Sequence, residues 1–130
     1  MALEEHEQEA RNGLAHQVVG AAYEVANVLG PGFLEMVYER ALVRELLLRG
    51  LDARWQEPIP VSYKGDRVGD YRADVLVDGK LIVEVKCAER FCDEHMAQCL
   101  NYLKATGLHL ALLVNFQHPK VEWKRVVRDF

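Results

Sequence analysis

Apolar residues recur with a helical period in the first third of the chain. The period predicts a helix over residues 12–29, with Asn12 as its N-cap, and a second helix over residues 34–49. Apolar positions of the first helix are Leu14, Val18, Ala21, Ala22, Val25 and Val28; those of the second are Met36, Val37, Ala41, Leu42, Leu46 and Leu47. Gly30-Pro31-Gly32 and Gly50 end these helices. Residues 1–11 are polar and are predicted to form an arm or a frayed helix start.

From residue 51 onward the pattern changes to short apolar runs separated by turn residues. Strands are predicted at residues 53–57, at 59–63, from 68 into a hairpin ending at 86, at 109–115 and at 121–127, with a third helix over 93–105. Pro58 and Pro60 favour a sheet edge. The order α-α-β-β-β-α-β-β predicts an α/β (α+β) fold in which helices flank a mixed sheet.

The hairpin from Tyr71 to Lys86 carries three charges among apolar residues. Asp74 lies on its first strand, and Glu84 and Lys86 lie two apart on its second, so the latter two share a face. Burying such charges is unfavourable unless they compensate one another or bind a metal. The spacing predicts a metal site on a rigid sheet, and a buried ion pair between Lys86 and one carboxylate is the alternative.

The turn decides whether Asp74 and Glu84 share a face. A two-residue loop at residues 78–79 would turn Glu84 away from Asp74, because cross-strand partners point to one side of the sheet. A three-residue loop at residues 77–79, with Gly79 left-handed, places both carboxylates on the same face. We predict this loop, or a compensating bulge near Asp74.

Two further positions on helices are candidates for a site. Gln98 and Tyr102 lie four apart on the third helix, where they would cover the rim of the site and position a phosphate or a base. A surface glutamine beside a half-buried tyrosine is the alternative. Glu35 lies in the first turn of the second helix, where the helix dipole favours a carboxylate, and Tyr38 is close to it.

Composition and charge restrict the class of protein. The 130 residues, half of them hydrophobic, predict one domain over residues 12–130. We expect no transmembrane helix, no membrane partner and no signal peptide, because the start is acidic and no apolar run approaches the required length. Three cysteines without disulfide or zinc spacing favour a cytoplasmic location. The net charge of −4 argues against strong non-specific duplex binding, although four glutamates among the first nine residues account for it.

Taken together, these residues resemble the PD-(D/E)XK nuclease superfamily. Asp74 and residues 84–86 (EVK) resemble its acidic and lysine motif, with Ala73 in place of the proline in its name. Residues 32–38 (GFLEMVY) match the signature of its GxxExxY branch, and residues 98–102 (QCLNY) resemble the Q-x-x-x-Y helix motif of RecB-like members. The resemblance covers residues 14–128 and implies a restriction-endonuclease-like core.

The resemblance also implies a role for each candidate residue. A Mg²⁺ or Mn²⁺ ion would be held by Asp74, Glu84, Glu35 and the Val85 carbonyl. Lys86 would orient or activate the attacking water and stabilise charge on the phosphorane. The substrate would be positioned by Gln98, Tyr102 and Tyr38. Hard oxygen ligands and a nearby ammonium suit these roles on physical grounds.

The favoured hypothesis is a metal-dependent nuclease that hydrolyses phosphodiester bonds of nucleic acid, with DNA as the expected substrate. The competing hypothesis is a catalytically silent nuclease-fold module that binds or assembles with a partner protein. The neutral folded part and the small size favour this second class. The complete set of acidic residues and lysine favours catalysis, because an unused buried charge cluster lowers stability. A homodimer or a partner protein is open in both cases.

Overall fold

The computed structural model describes residues 2–128, with side chains from Glu5 to Arg128. Its eight elements follow the predicted order. They are α1 (Ala2–Leu29), α2 (Glu35–Leu48), β1 (Ala53–Tyr63), β2 (Asp66–Val77), β3 (Leu81–Lys86), α3 (Asp93–Thr106), β4 (Leu110–Asn115) and β5 (Glu122–Val127). The predicted class, a mixed sheet with flanking helices, is confirmed. None of the helices in this part of the chain is long and apolar enough to span a membrane.

The five strands form one sheet in the order β1-β2-β3-β4-β5. Neighbouring strands are antiparallel except β3 and β4, which are parallel because α3 connects them. β1 is an edge strand, as Pro58 and Pro60 predicted, since proline cannot donate to a sheet ladder. β3 and β4, which carry the longest apolar runs, lie inside the sheet and are almost entirely buried.

Helices cover both faces of the sheet. α1 and α2 pack on one face, over a core that includes Val83, and α3 packs on the other, over a core that includes Ile82. Glu84 and Lys86 follow Ile82 at intervals of two along β3, so their side chains belong to the face that α3 covers. The charged residues of β3 therefore lie between the sheet and α3.

α1 is longer than its apolar pattern predicts. It begins at Ala2, so Asn12 is not its N-cap but lies inside the helix, where its Oδ1 accepts a hydrogen bond from Arg125 on β5. Residues 2–11 are rich in Glu, Gln and Ala, which are good helix formers. Local propensity therefore continues the helix into a segment that has no apolar stripe. Met1 lies outside the described residues.

α2 buries only part of the predicted apolar stripe: Leu42 and Leu46 are buried as predicted, but its first turn is rotated. Its buried residues are Tyr38, Glu39, Leu42 and Leu46. Met36 and Val37, which were predicted to face the core, are 55% and 38% exposed. The stripe that begins at Tyr38 has the same helical spacing. The aromatic ring of Tyr38 buries more apolar surface than Met36 or Val37 would, so Tyr38 determines how the helix is rotated about its axis.

The turn between β2 and β3 has three residues, as predicted, but it begins one residue later. Val77 still belongs to the β2–β3 ladder, so the loop is Asp78–Lys80. Gly79 is left-handed, as predicted, with a φ of 65°, and Asp78 is left-handed with a φ of 51°. Asp78 exchanges two hydrogen bonds of 2.8 Å with the backbone of Asp52, one through its Oδ1 and one through its amide. These bonds hold Asp78 outside the ladder and account for the shift.

Tyr38 connects the turn between α1 and α2 to the sheet. Its side chain is fully buried, and its ring stacks on Phe116, just after β4, with centroids 4.7 Å apart. Its hydroxyl donates to the Gly30 carbonyl at 2.6 Å and accepts from the Phe33 amide at 3.2 Å. The start of α2, and with it the position of Glu35, therefore depends on this buried phenol.

We expect Tyr38→Phe to lower the free energy of unfolding by about 1–2 kcal/mol, because it keeps the ring stack and removes both hydroxyl hydrogen bonds. Urea unfolding followed by circular dichroism measures the change. Tyr23→Phe, at a more exposed tyrosine of α1, is the matched control and should change the free energy by less than about 0.5 kcal/mol. Equal effects of the two substitutions would mean that the Tyr38 hydroxyl does not hold the turn.

Candidate active site

β2 and β3 separate where Asp74 and Glu84 meet. The last backbone pair between the two strands joins Val75 to Val83, so Asp74 lies just outside the ladder. Beyond Val75, the two strands are joined by hydrogen bonds between side chains and backbone. Asp74 Oδ2 accepts a hydrogen bond from the Val85 amide at 2.8 Å, and the Asp74 amide donates to Glu84 Oε1 at 3.3 Å. Each carboxylate is thus held by the backbone of the opposite strand, and we call Asp74 and Glu84 the carboxylate pair.

β2 is irregular at Asp74. Ala73 packs in the core beneath α3, whereas Val75 packs on the side of α1 and α2, although residues two apart share a face in a regular strand. The ladder between β1 and β2 has no pair at Gln56, which is opposite Asp74 and has a left-handed φ of 54°. The pairs on either side of Asp74 keep the same register, so this irregularity is not the predicted compensating bulge. It removes Asp74 from the β1–β2 ladder, and the Asp74 carboxylate binds the backbone of β3 instead.

Burial determines the charge of the carboxylate pair. Glu84 is 1% exposed, and burial together with the charge of Asp74 raises the pKa of Glu84 to about 9. Burial also raises the pKa of Asp74, while hydrogen bonds from Glu84 and the Val85 amide and the charge of Lys86 act in the opposite direction. The pair therefore shares one proton at neutral pH, and a cation that binds both carboxylates must displace it.

Lys86, Gln98 and Tyr102 form a chain of hydrogen bonds beside the carboxylate pair. Lys86 Nζ donates to Gln98 Oε1 at 2.8 Å, and Gln98 Nε2 donates to the Tyr102 hydroxyl at 2.9 Å. Burial, and then the charge of Glu84, raises the pKa of Tyr102 to about 12. The Tyr102 hydroxyl therefore keeps its proton at neutral pH. The structure thus brings an ammonium, an amide and a phenol together.

Glu35 lies at the margin of this site. Its Oε2 accepts a hydrogen bond from the amide of Cys87 at 3.1 Å, and its charge raises the pKa of Asp74. Within residues 2–128, however, no three or more His, Cys, Asp or Glu side chains are grouped closely enough to hold a metal ion. The predicted convergence of Glu35 with Asp74 and Glu84 is therefore not formed, because the Cys87 amide holds the Glu35 carboxylate.

Glu39 is a buried carboxylate that the sequence reasoning did not assign to the site. It is 6% exposed, and its Oε1 accepts hydrogen bonds from Trp55 Nε1 at 3.0 Å and from Gln56 Nε2 at 2.7 Å. Burial and the charge of Asp74 raise the pKa of Glu39. Because it holds the left-handed Gln56, Glu39 supports the irregularity that positions Asp74. Its spacing of four from Glu35, which places both on one helix face, is the signal that points to it.

Asn115 fixes the loop that follows Lys86. Its buried side chain accepts from the Ala88 amide at 3.1 Å and donates to the Ala88 carbonyl at 2.7 Å. In the β3–β4 ladder its backbone pairs with Lys86 itself. An asparagine at the end of an apolar strand is the sequence signal for this role, since a buried amide requires hydrogen-bond partners.

Tyr38 does not lie where it can contact a substrate, although it was predicted to position one. It is fully buried, and both hydrogen bonds of its hydroxyl are made within the turn before α2. It positions Glu35 indirectly, through the start of that helix.

Cys99 is excluded from chemistry at neutral pH, because burial raises the pKa of its thiol to about 12.

The donor set of the carboxylate pair fits a hard divalent cation. Mg²⁺ and Mn²⁺ favour carboxylate oxygens, and Mg²⁺ is usually held by one or two carboxylates while it keeps several waters. Asp74 and Glu84 supply two such groups from adjacent strands, fixed by backbone amides. The Val85 carbonyl adjoins Glu84 and stays a predicted third ligand.

A family model described as the PD-(D/E)XK nuclease superfamily matches residues 12–126. The chain belongs to this superfamily. The motif in the superfamily's name fits Asp74 and residues 84–86, and Ala73 stands in the place of the proline. Nucleases of the PD-(D/E)XK superfamily generally use divalent metals. Membership supports a nuclease function and a nucleic-acid substrate.

Two crystal structures of LHK-Exo, an alkaline exonuclease from Laribacter hongkongensis, are similar to this chain in fold. The structure in complex with dAMP is 15% identical and the other is 16% identical. Each has a TM-score of 0.51 and covers 83% of this chain and 76% of the exonuclease chain. This similarity confirms the predicted restriction-endonuclease-like architecture of the PD-(D/E)XK superfamily. No curated protein matches the chain significantly in sequence.

In the presence of a chelator, we expect the protein to lose stability relative to Glu84→Gln as the pH rises from about 4.5 to about 9. The folded state holds the Glu84 proton more tightly than the unfolded chain does. The resulting stabilisation is fully present below the unfolded pKa and is lost as the pH rises through the folded pKa. Urea unfolding of both proteins across this range measures the difference.

Glu24→Gln is the control for this titration, because Glu24 is an exposed carboxylate on α1. Its difference from the unsubstituted protein should not vary with pH. A difference for Glu84→Gln that is equally independent of pH would show that the folded protein does not hold Glu84 protonated.

Proposed function

We propose that this protein is a divalent-metal-dependent nuclease that hydrolyses phosphodiester bonds in DNA, and that it belongs to the GxxExxY branch of its superfamily. The observation that carries the proposal is the carboxylate pair, two acids that are each held by the backbone of the opposite strand beside the Lys86 ammonium. A purely structural role would leave this buried group as a net loss of stability. Similarity in fold to an exonuclease crystallised with dAMP makes DNA the first substrate to test.

The carboxylate pair is the proposed cation site. A bound divalent cation would make a water more acidic and offset the charge that grows on the phosphate. Asp74 and Glu84 would hold the cation through oxygens that the opposite strand already orients, and their shared proton would leave when it binds. Glu35 acts from the margin of the site, where its negative charge adds to the attraction for a cation.

Lys86, Gln98 and Tyr102 are the proposed groups that act on the substrate. In hydrolysis a water oxygen forms a bond to phosphorus and one P–O ester bond breaks, and the leaving oxygen takes up a proton that the water gives up. Negative charge increases on the remaining phosphate oxygens in the transition state. The Lys86 ammonium, oriented by Gln98, stabilises that charge. Tyr102, whose hydroxyl stays protonated, and Gln98 hold the substrate strand by hydrogen bonds.

We expect Mg²⁺- or Mn²⁺-dependent cleavage of labelled DNA that falls at least about 100-fold in Asp74→Asn and in Lys86→Met, because each variant removes a charge that acts on the transition state. Gel assays on single-stranded and double-stranded DNA and RNA measure the rate. Both substitutions keep the approximate shape of the side chain, so loss of packing contributes little.

Two matched controls accompany this assay. Glu24→Gln removes an exposed carboxylate from α1, and Lys124→Met removes an exposed ammonium from β5. Both should keep the full rate. Cleavage that persists in Asp74→Asn and Lys86→Met would assign the activity to other residues or to a contaminant, and the proposed site would be wrong.

We expect cation binding at neutral pH to release protons and to become tighter as the pH rises toward about 9. The reason is that the cation and the shared proton compete for the carboxylate pair. Titration calorimetry with Mn²⁺ in two buffers that differ in ionisation enthalpy counts the released protons. Glu84→Gln should abolish the release, and binding that is independent of pH would contradict the proposed site.

A catalytically silent binding or assembly module is the second candidate. The position of Glu35 favours it, because the structure does not bring a third carboxylate into the pair. This candidate predicts that no nucleic acid is cut under any metal condition and that Asp74→Asn leaves binding of the partner unchanged. The cleavage and calorimetry experiments above therefore separate the two.

A further inference from the structure

The hairpin formed by β1 and β2 extends beyond the sheet next to the candidate active site. β3 pairs only with residues 75–77 of β2, so residues 57–73 pair with one another alone; we call them the hairpin arm. Most of their side chains are exposed. Tyr71 of the arm reaches α3, where its ring centroid lies 5.6 Å from that of Tyr102. The arm and α3 are therefore the two walls of a cleft that begins at the candidate active site.

Two neighbouring cavities lie in this cleft. The one next to the candidate active site has a volume of about 270 Å³ and includes Gln98 and Tyr102 in its lining. The second has a volume of about 490 Å³ and includes Lys104. Tyr71 and Asn101 line both cavities, so these two side chains stand at the boundary between them.

We propose that this cleft binds an unpaired nucleic-acid strand on its way to the candidate active site, and that Tyr71 stacks on one of its bases. The inference rests on the proposed nuclease function and specifies a single strand as the form of the substrate. Tyr71 is 51% exposed, whereas Tyr102 behind it is buried. An exposed aromatic ring at the boundary of two cavities is a platform on which any base can stack.

The width of the cleft favours one strand over two. Tyr71 and Tyr102 are in contact, with ring centroids 5.6 Å apart, so the two walls meet at this point and leave no wide channel between them. A duplex is far wider, since its major groove alone measures about 12 Å. A single strand can enter such a cleft with its bases directed at the aromatic rings and its phosphates toward solvent.

Polar groups along the cleft match this ligand. Lys86, through its bond to Gln98, lies at one end, and Lys104 lines the cavity at the other. Gln98 and Lys104 are separated by about 9 Å along the axis of α3, which is the rise of two to three stacked nucleotides at about 3.4 Å each. Asn101 lies between them and offers the donors and the acceptor that base edges need. Glu94 lines the cavity next to the candidate active site. Its negative charge repels phosphate, so the sugar–phosphate backbone lies away from it.

The test measures strand binding without turnover, in the full chain carrying Asp74→Asn and in the presence of a chelator. Fluorescence anisotropy gives the affinity for a labelled single-stranded DNA 12-mer and for the duplex of the same sequence. Adding Tyr71→Ala should weaken single-strand binding about 5- to 100-fold, as expected for the loss of one base–aromatic stack. Tyr71→Phe, which keeps the stack, should stay within about twofold of the parent, and it controls for folding. The duplex should bind more weakly than the single strand.

Tyr23→Ala is the matched control, because it removes an exposed tyrosine from α1, on the opposite face of the sheet. It should leave the affinity unchanged. Ultraviolet crosslinking of a single strand that carries 5-iodouracil, followed by mass spectrometry, should label the peptide that contains Tyr71. Lys104→Met should lower the slope of log affinity against log salt by about 0.7, the value for one phosphate contact on a single strand.

Single-strand binding that is unchanged in Tyr71→Ala, or a preference for the duplex, would overturn the proposal. Failure of the proposed nuclease function gives a different result. In that case no DNA is cut by the unsubstituted protein, while Tyr71 still determines the affinity for a single strand.

Discussion

The two hydrogen bonds that hold the Asp74 and Glu84 carboxylates to the backbone of the opposite strand are the constraint on which the rest of this structure depends. They continue the pairing of β2 with β3 after their backbone ladder ends, through the Val85 amide on one strand and the Asp74 amide on the other. Two acids held together without solvent repel one another when both are ionised, so the folded chain retains a proton there. The same arrangement that is unfavourable for two free carboxylates is favourable for a carboxylate pair that holds a cation.

Several buried polar groups outside the carboxylate pair maintain its geometry. Glu39 holds Gln56 in a left-handed conformation opposite Asp74, and Asn115 fixes the chain just after Lys86. Such a backbone conformation is unfavourable for a residue other than glycine and persists only where surrounding contacts impose it. The hydrogen bond from Gln56 to a buried carboxylate supplies that contact. The irregularity at Asp74 is therefore maintained from α2, a helix that the sequence had linked to the site through Glu35 and Tyr38.

The order of elements, the edge position of β1 and the shared face of the charged residues could be predicted from the sequence, because hydrophobic period and proline chemistry act locally. The remaining details depend on partners distant in the chain. Asp78 leaves the ladder because Asp52 binds it, and α2 turns Tyr38 inward because Phe116 offers a ring to stack on. Periodicity alone could not choose between the stripes of α2, since both have helical spacing. Glu39 was missed for the same reason, because its burial follows from that rotation.

β2 is divided between the sheet and the hairpin arm, and in the proposed function this division would separate chemistry from recognition. Asp74 lies where β2 leaves β3, and Tyr71 lies three residues earlier on the same strand, about 10 Å away along its length. Residues 74–77 of β2 are buried or partly buried and those of β3 are almost entirely buried, so substitutions there alter the core and the carboxylate pair together. Residues of the arm are largely exposed and pair only with one another, so their side chains can change with little effect on stability. If the proposed function holds, the arm would determine which form of nucleic acid reaches the site, while the buried strands would keep the geometry of the carboxylate pair constant.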